Sequence, residues 1–200
     1  MAEKTDYRFS IPDGAIMRRT VLTSENKGLI RAMKKAGREL VERRIAKGDG
    51  GDLSARTERG FLITASGADL SNLSDEDFVL VESFDSEGNA LRSAFGLGAP
   101  PASTPIHHAV YSRRPDIRAI IRAEDPALTR KGVAQKLKIQ PTRPGLALGS
   151  HEAAKEASSL SEEGNALVIP ENSAFITGRS VEECAERIDI LHRRGASAKV

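Results

Sequence analysis

Residues 99–127 read APPASTPIHHAVYSRRPDIRAIIRAEDPA, and the rest of the chain is organised around them. A proline-bounded turn (Pro100, Pro101, Ser103, Thr104, Pro105) opens a helix carrying Ile106, Ala109 and Val110 on one stripe. Pro115 stops that helix, because proline lacks the N–H that the next turn needs. A short apolar run over 117–121 then reads as a strand and leads into Arg122, Ala123, Glu124, Asp125 and Pro126. Side chains alternate across a strand, so Arg122 and Glu124 are expected on one face at its end. Opposite charges there, beside a proline-rich turn, read as a site more than as a solvated edge.

Working outward, Ser24 followed by Glu25 reads as the N-cap of a long helix. Its stripe is Leu29, Ile30, Met33, Ala36, Gly37, Leu40, Val41 and Ile45; Arg43, Arg44 and Lys47 suit its C-terminal end, and Gly48 is positioned to terminate it. Gly50, Gly51 and Asp52 turn into a strand over 53–56. A second strand covers 60–64 and ends in the turn Ala65-Ser66-Gly67. Ser74 caps a single helical turn, strands follow at 78–81 and 90–95, and Gly88-Asn89 forms a hairpin turn between them. Downstream come a helix over 127–136, a strand near 138–140, a loop over 141–149 and a helix from His151 capped by Ser150. Strands at 166–169 and 174–177 are separated by residues 170–173, and a helix over 181–194 closes the chain. Tyr7, Phe9 and Ile11 alternate, so the leader, residues 1–22, holds a short edge strand before the turn at Asp13-Gly14. Residues 23–200 read as one domain, without an internal repeat.

Composition narrows the function classes. The chain has 200 residues, 39% hydrophobic and 29% charged, with six Phe, two Tyr and no Trp, so its core is aliphatic. A formal net charge of +2 and the lack of a basic stripe interleaved with aromatics argue against a nucleic-acid binder. The single cysteine, Cys184, excludes an internal disulfide and suits a reducing compartment. With Val181, Ala185 and Ile188 around it, it reads as a core residue. No apolar run approaches the roughly 20 residues of a membrane span, and the polar N-terminus does not read as a signal peptide. A cytoplasmic location is expected.

Several of these segments together resemble the class II aldolase/adducin family, the zinc-dependent sugar-phosphate aldolases typified by fuculose-phosphate aldolase. That family reads P-S-S-E-x-P-x-H, an aliphatic helix ending R-P, and a strand ending H-x-H-x-P. Here the frame stands in Thr104-Pro105-Ile106-His107, Arg114-Pro115-Asp116 and Asp125-Pro126. The likeness spans about residues 22–194. It implies a three-layer α/β/α fold with a mainly antiparallel central sheet, and a homo-oligomer, usually a cyclic tetramer; assembly on an active paralogue is a second expectation.

The resemblance also implies which positions carry chemistry, and there the residue types change. Ser103 matches the catalytic glutamate. Arg122 and Glu124 match the H-x-H zinc ligands, and Asn172 matches the third ligand histidine. Asp52 replaces an asparagine that faces the substrate phosphate, whereas the phosphate-facing turn at Ser66 and Gly67 is nearly intact. Arginine offers no lone pair, so no zinc cofactor is expected. His107 and His108 point about 100° apart on a helix and do not serve one ion. The expected function is a degenerate homologue without aldolase activity, in a binding, scaffolding or regulatory role, as the resemblance allows from adducin's head domain. The alternative is a lyase, epimerase or dehydratase on a sugar phosphate or related aldehyde, with Glu124 as acid/base and Arg122 as electrophilic stabiliser. Asp52, Ser66, Gly67, Ser103, Arg122 and Asn172 are the candidate ligand contacts, for a small anionic ligand held by Arg122. A third reading makes Arg122 a fixed cation neutralised internally by Glu124 or Asp52.

Overall fold

A computed structural model describes residues 8–10, 19–85 and 91–198. Its strands, among these residues, form one nine-stranded sheet in the order β1-β5-β4-β3-β2-β6-β9-β8-β7. They are β1 (Arg8–Ser10), β2 (Gly51–Thr57), β3 (Gly60–Thr64), β4 (Phe78–Phe84), β5 (Leu91–Phe95), β6 (Ala119–Ala123), β7 (Gln140–Pro141), β8 (Ala166–Ile169) and β9 (Ser173–Gly178). Only the two outermost pairs, β1 with β5 and β7 with β8, run parallel; the other neighbours are antiparallel. The edge strand expected around Phe9 is β1, while Tyr7, Ile11 and the Gly88-Asn89 turn lie outside the described residues.

Alternation along the central strands splits the core in two. Leu53, Ala55, Ala119, Ile121 and Ala123 face α1 (Ser24–Glu42), which packs beside α6 (Val181–Ala196). Ile63, Ile120, Leu167 and Phe175 face α2 (Thr104–Arg113), which packs on α5 (His151–Leu160). Two shorter helices, α3 (Pro126–Thr129) and α4 (Val133–Leu137), follow β6. The architecture is three-layer α/β/α.

Local details differ from the sequence reading where one residue overrides periodicity. The N-cap of α1 is Thr23, whose hydroxyl accepts from Asn26 N at 3.2 Å, not Ser24. The helix stops at Glu42, six residues before Gly48, because Arg44 takes the left-handed conformation (φ 59°) that ends it. The single helix expected over 127–136 is two, since Gly132 (φ 83°) breaks it. Lys138 (φ 57°) caps α4 rather than opening a strand, so β7 starts only at Gln140. Ser74 and Ser150 cap as expected from the sequence, and Ser180 caps α6.

Candidate functional site

The start of β2, the end of β6 and the start of β9 meet at one end of the sheet. Asp52 stands opposite Arg122 in the β2–β6 ladder, and Arg122 stands opposite Phe175 in the β6–β9 ladder. Both Asp52 and Arg122 point to the α2 side. Gly51 permits the approach: a Cβ there would lie 2.5 Å from the Arg122 carbonyl oxygen. Ser103, at the mouth of α2, completes the cluster from above.

The hydrogen bonds converge on Asp52, which is 1% exposed. Its Oδ2 accepts from Arg122 Nε at 2.5 Å and from the Ser103 hydroxyl at 2.8 Å. Arg122 Nη1 donates to Glu124 Oε1 at 3.1 Å, so the shared face read from the alternation exists. The Arg122 side chain is 8% exposed and Glu124's is 52% exposed, which places Glu124 at the surface end of a buried ion pair.

Behind Asp52 a second chain of contacts runs into the core. His107 Nε2 stands 2.8 Å from Asp52 Oδ1. The ring N–H direction misses that oxygen, so neither atom has a well-aligned bond and the contact is mainly electrostatic. His107 Nδ1 lies 2.7 Å from Ser54 Oγ, and Ser54 Oγ lies 2.8 Å from the Tyr111 hydroxyl. With the His107 proton on Nε2, Ser54 donates to Nδ1 and Tyr111 donates to Ser54, so both hydroxyl protons find acceptors and the Nε2 proton has only the misaligned Asp52 contact. The contacts are those of a Ser-His-Asp triad, but Ser54 and His107 are both fully buried, and the hydroxyl is already used by Tyr111. It holds Asp52 in place and exposes no nucleophile. Sequence reading missed Ser54 and Tyr111; the sole local trace is a polar residue alternating with Leu53 and Ala55 in a buried strand.

Electrostatics follow the geometry. Burial pushes the Asp52 carboxyl up, but His107 and then Arg122 outweigh it and hold the pKa at about 2. Burial works against the Arg122 charge too, and Asp52 and Glu124 overcome it, leaving its pKa raised. Burial lifts the Tyr111 hydroxyl well above its ordinary range. Next along the chain, Asp125 is fully buried, caps α3 through Ala127 N at 2.9 Å and contacts His192 Nδ1 at 2.9 Å, which fixes the exit of β6. Burial raises its pKa, and the His192 contact only partly offsets this.

The remaining candidates stand apart. Ser66 and Gly67 occupy an exposed turn after β3, tied to the α2 approach by Ser66 N on Ala99 O at 2.8 Å. Asn172 is exposed in the β8–β9 hairpin, where its Oδ1 accepts from the Ser173 hydroxyl at 2.9 Å, and it makes no bond to Arg122 or Glu124. His108 stacks on Phe84 at 3.8 Å, and His151 is exposed. The fixed guanidinium of Arg122, locked on Asp52, occupies one of the positions that resemblance assigns to metal ligands. The accompanying donors are one carboxylate, one hydroxyl and one distant amide. This set does not fit a zinc ion. Among the described residues no three His, Cys, Asp or Glu side chains group around a metal position.

A sequence profile described as Class II Aldolase and Adducin N-terminal domain matches residues 31–195. The chain belongs to that family. The 3-oxo-tetronate 4-phosphate decarboxylase of Haemophilus influenzae is 27% identical over 177 residues, covering 80% of this chain and 81% of that protein. The methylthioribulose-1-phosphate dehydratase of Pseudoalteromonas translucida is 32% identical over 104 residues, covering 52% of this chain and 46% of its own length. The L-fuculose-1-phosphate aldolase structure from Thermus thermophilus superposes with a TM-score of 0.69 at 23% identity, over 84% of this chain and 90% of that one. At that identity the superposition establishes the fold alone. No described helix is long and apolar enough to cross a membrane.

Proposed function

We propose that this class II aldolase-family chain carries no catalytic zinc, performs no metal-dependent retro-aldol cleavage, and serves a binding, scaffolding or regulatory role. The observation that carries this reading is the buried Arg122–Asp52 ion pair, 2.5 Å long, which fixes a guanidinium at one of the ligand positions of the family resemblance. A divalent cation there would meet a permanent positive charge in place of one imidazole donor, with a carboxylate, Glu124, in place of the other. Asp52 neutralises that charge from within the fold, so the site stays assembled without an ion. Homo-oligomerisation, expected from the family resemblance, is compatible with the role, since assembly surfaces do not depend on the lost ligands. Elemental analysis of the purified protein, combined with retro-aldol assays on sugar phosphates with and without added zinc, tests the proposal. Metal-free protein without turnover is the expected result, and turnover requiring a bound divalent metal overturns it.

A second reading has its own support. Glu124 is half-exposed beside a buried guanidinium, an acid/base group next to an electrophilic stabiliser. The names of the relatives include a decarboxylase and a dehydratase. In this reading the chain is a metal-independent lyase, epimerase or dehydratase on a sugar phosphate or related aldehyde. A reaction that persists in chelator and is lost in Glu124→Gln would select it.

A further inference from the structure

We infer that α6 carries a self-association surface for a second copy of this chain. The two copies pack antiparallel about a two-fold axis beside Ile190, and Glu186 of each meets Arg194 of the other. The surface lies away from the Asp52–Arg122 cluster. Ile190, 44% exposed, is the one large hydrophobic side chain left exposed among the described residues. A single exposed apolar side chain is ordinary; the groove beside it is what sets this one apart. That groove, about 500 Å³, runs between α6 and the β7–β8 edge of the sheet, and Ile190 stands on its wall with Leu137, Ile139, Ala166 and Leu191.

Charge decides what fits the groove. Within α6, Glu183 pairs with Arg187, and Asp189 pairs with Arg193 and with Arg43 of the neighbouring strand-to-helix layer, so these groups are satisfied inside the subunit. Glu186 and Arg194 line the groove with no ion-pair partner among the described residues. They stand four residues before and four residues after Ile190, hence on one face of the helix, about one turn to either side. Reversing a second α6 about Ile190 brings each Glu186 to the partner's Arg194, and both pairs form at once. A two-fold contact requires that self-complementarity. The opposite rim carries Lys138 and Glu163, also without ion-pair partners among the described residues, so the unpaired charges of the groove cancel. A strongly acidic or basic partner finds no excess charge to recognise there, whereas a second copy finds its own complement. Burial of Ile190 against the partner's groove supplies the apolar contribution, and the charge pairs fix direction and register.

Such a contact is isologous, unlike the head-to-tail contacts that close a cyclic tetramer, so its loss halves the particle whatever other contacts the chain makes. Sedimentation velocity of the full chain across the micromolar range tests it, with Ile190→Arg, Glu186→Arg, Arg194→Glu and an equimolar mixture of the last two. All three positions are exposed, so each variant should keep the wild-type melting temperature. Ile190→Arg is expected to halve the particle mass. Each single charge reversal sets like charges across both pairs and should weaken association at least about tenfold, roughly 1.4 kcal/mol. Mixing the two reversals should restore association, because their charges then complement each other at both pairs. Ile190→Cys gives a second readout: oxidation should link two copies through that position, since Cys184 is buried. A wild-type chain that stays monomeric, a particle unchanged by Ile190→Arg, a mixture that does not reassociate, or no covalent dimer of Ile190→Cys overturns the inference. Metal content and turnover, which decide the zinc-free reading, are independent of these outcomes.

Discussion

Replacing Arg122 with Met leaves Asp52 buried with only Ser103 and His107 for company. Breaking a buried pair from one side typically costs about 3–5 kcal/mol, because a charge is stranded away from water. The hydroxyl at 2.8 Å and the electrostatic contact with His107 satisfy part of the carboxylate, which favours the lower half of that range. For a 200-residue chain, an unfolding entropy of roughly 2.1 cal/mol/K per residue turns each kcal/mol into about 2.4 °C. Arg122→Met should therefore lower Tm by about 7–10 °C. Denaturant unfolding followed by circular dichroism, at one protein concentration and with an unchanged m-value, measures the loss. The deficit should shrink as the pH approaches 4, since Asp52 without Arg122 takes up a proton more readily and sheds its unpaired charge. The double variant Asp52→Asn with Arg122→Met should recover much of the loss. A deficit below about 1 kcal/mol in Arg122→Met, the magnitude of an exposed pair, would refute the buried internal ion pair.

Three further outcomes follow from the same geometry. The Asp52 pKa is depressed to about 2, so its contribution is complete above its unfolded value near 4 and is lost as the pH falls from about 4 through 2; at neutral pH it amounts to roughly 2 kcal/mol, checked by unfolding free energies across that window in wild type and Asp52→Asn. Tyr111→Phe removes the donor to Ser54 at the buried end of the chain and should cost about 1 kcal/mol in the same assay. Cys184 is buried against the Ala119 carbonyl with its thiol pushed up to about 12, so a thiol reagent such as DTNB should label it only in denaturant; rapid labelling of the native protein would contradict its placement in the core.

The sequence by itself carried most of the fold, because the information is local. The stripe from Leu29 to Ile45, the proline marks at Pro105 and Pro115, and the serines before α5 and α6 each act within one or two turns of chain. Alternation also placed Arg122 and Glu124 on one face. Where one residue took a left-handed conformation, as at Arg44 and Lys138, periodicity had nothing to report, since nothing in an arginine or lysine side chain announces φ near +60°. The candidate site was half legible. Arg122, Glu124, Ser103 and Asp52 were each marked by their positions in the family pattern, and Asp52 was named as one of two partners for Arg122. Only tertiary structure decided that Asp52 takes Nε while Glu124 takes Nη1, that Ser103 shares the same carboxylate oxygen, and that His107, Ser54 and Tyr111 stand behind it. Asp52 and Arg122 are 70 residues apart, and their contact exists because the β2–β6 register sets them opposite each other. That register is fixed by which residues of both strands must face α1 and which must face α2, a condition that no single segment contains.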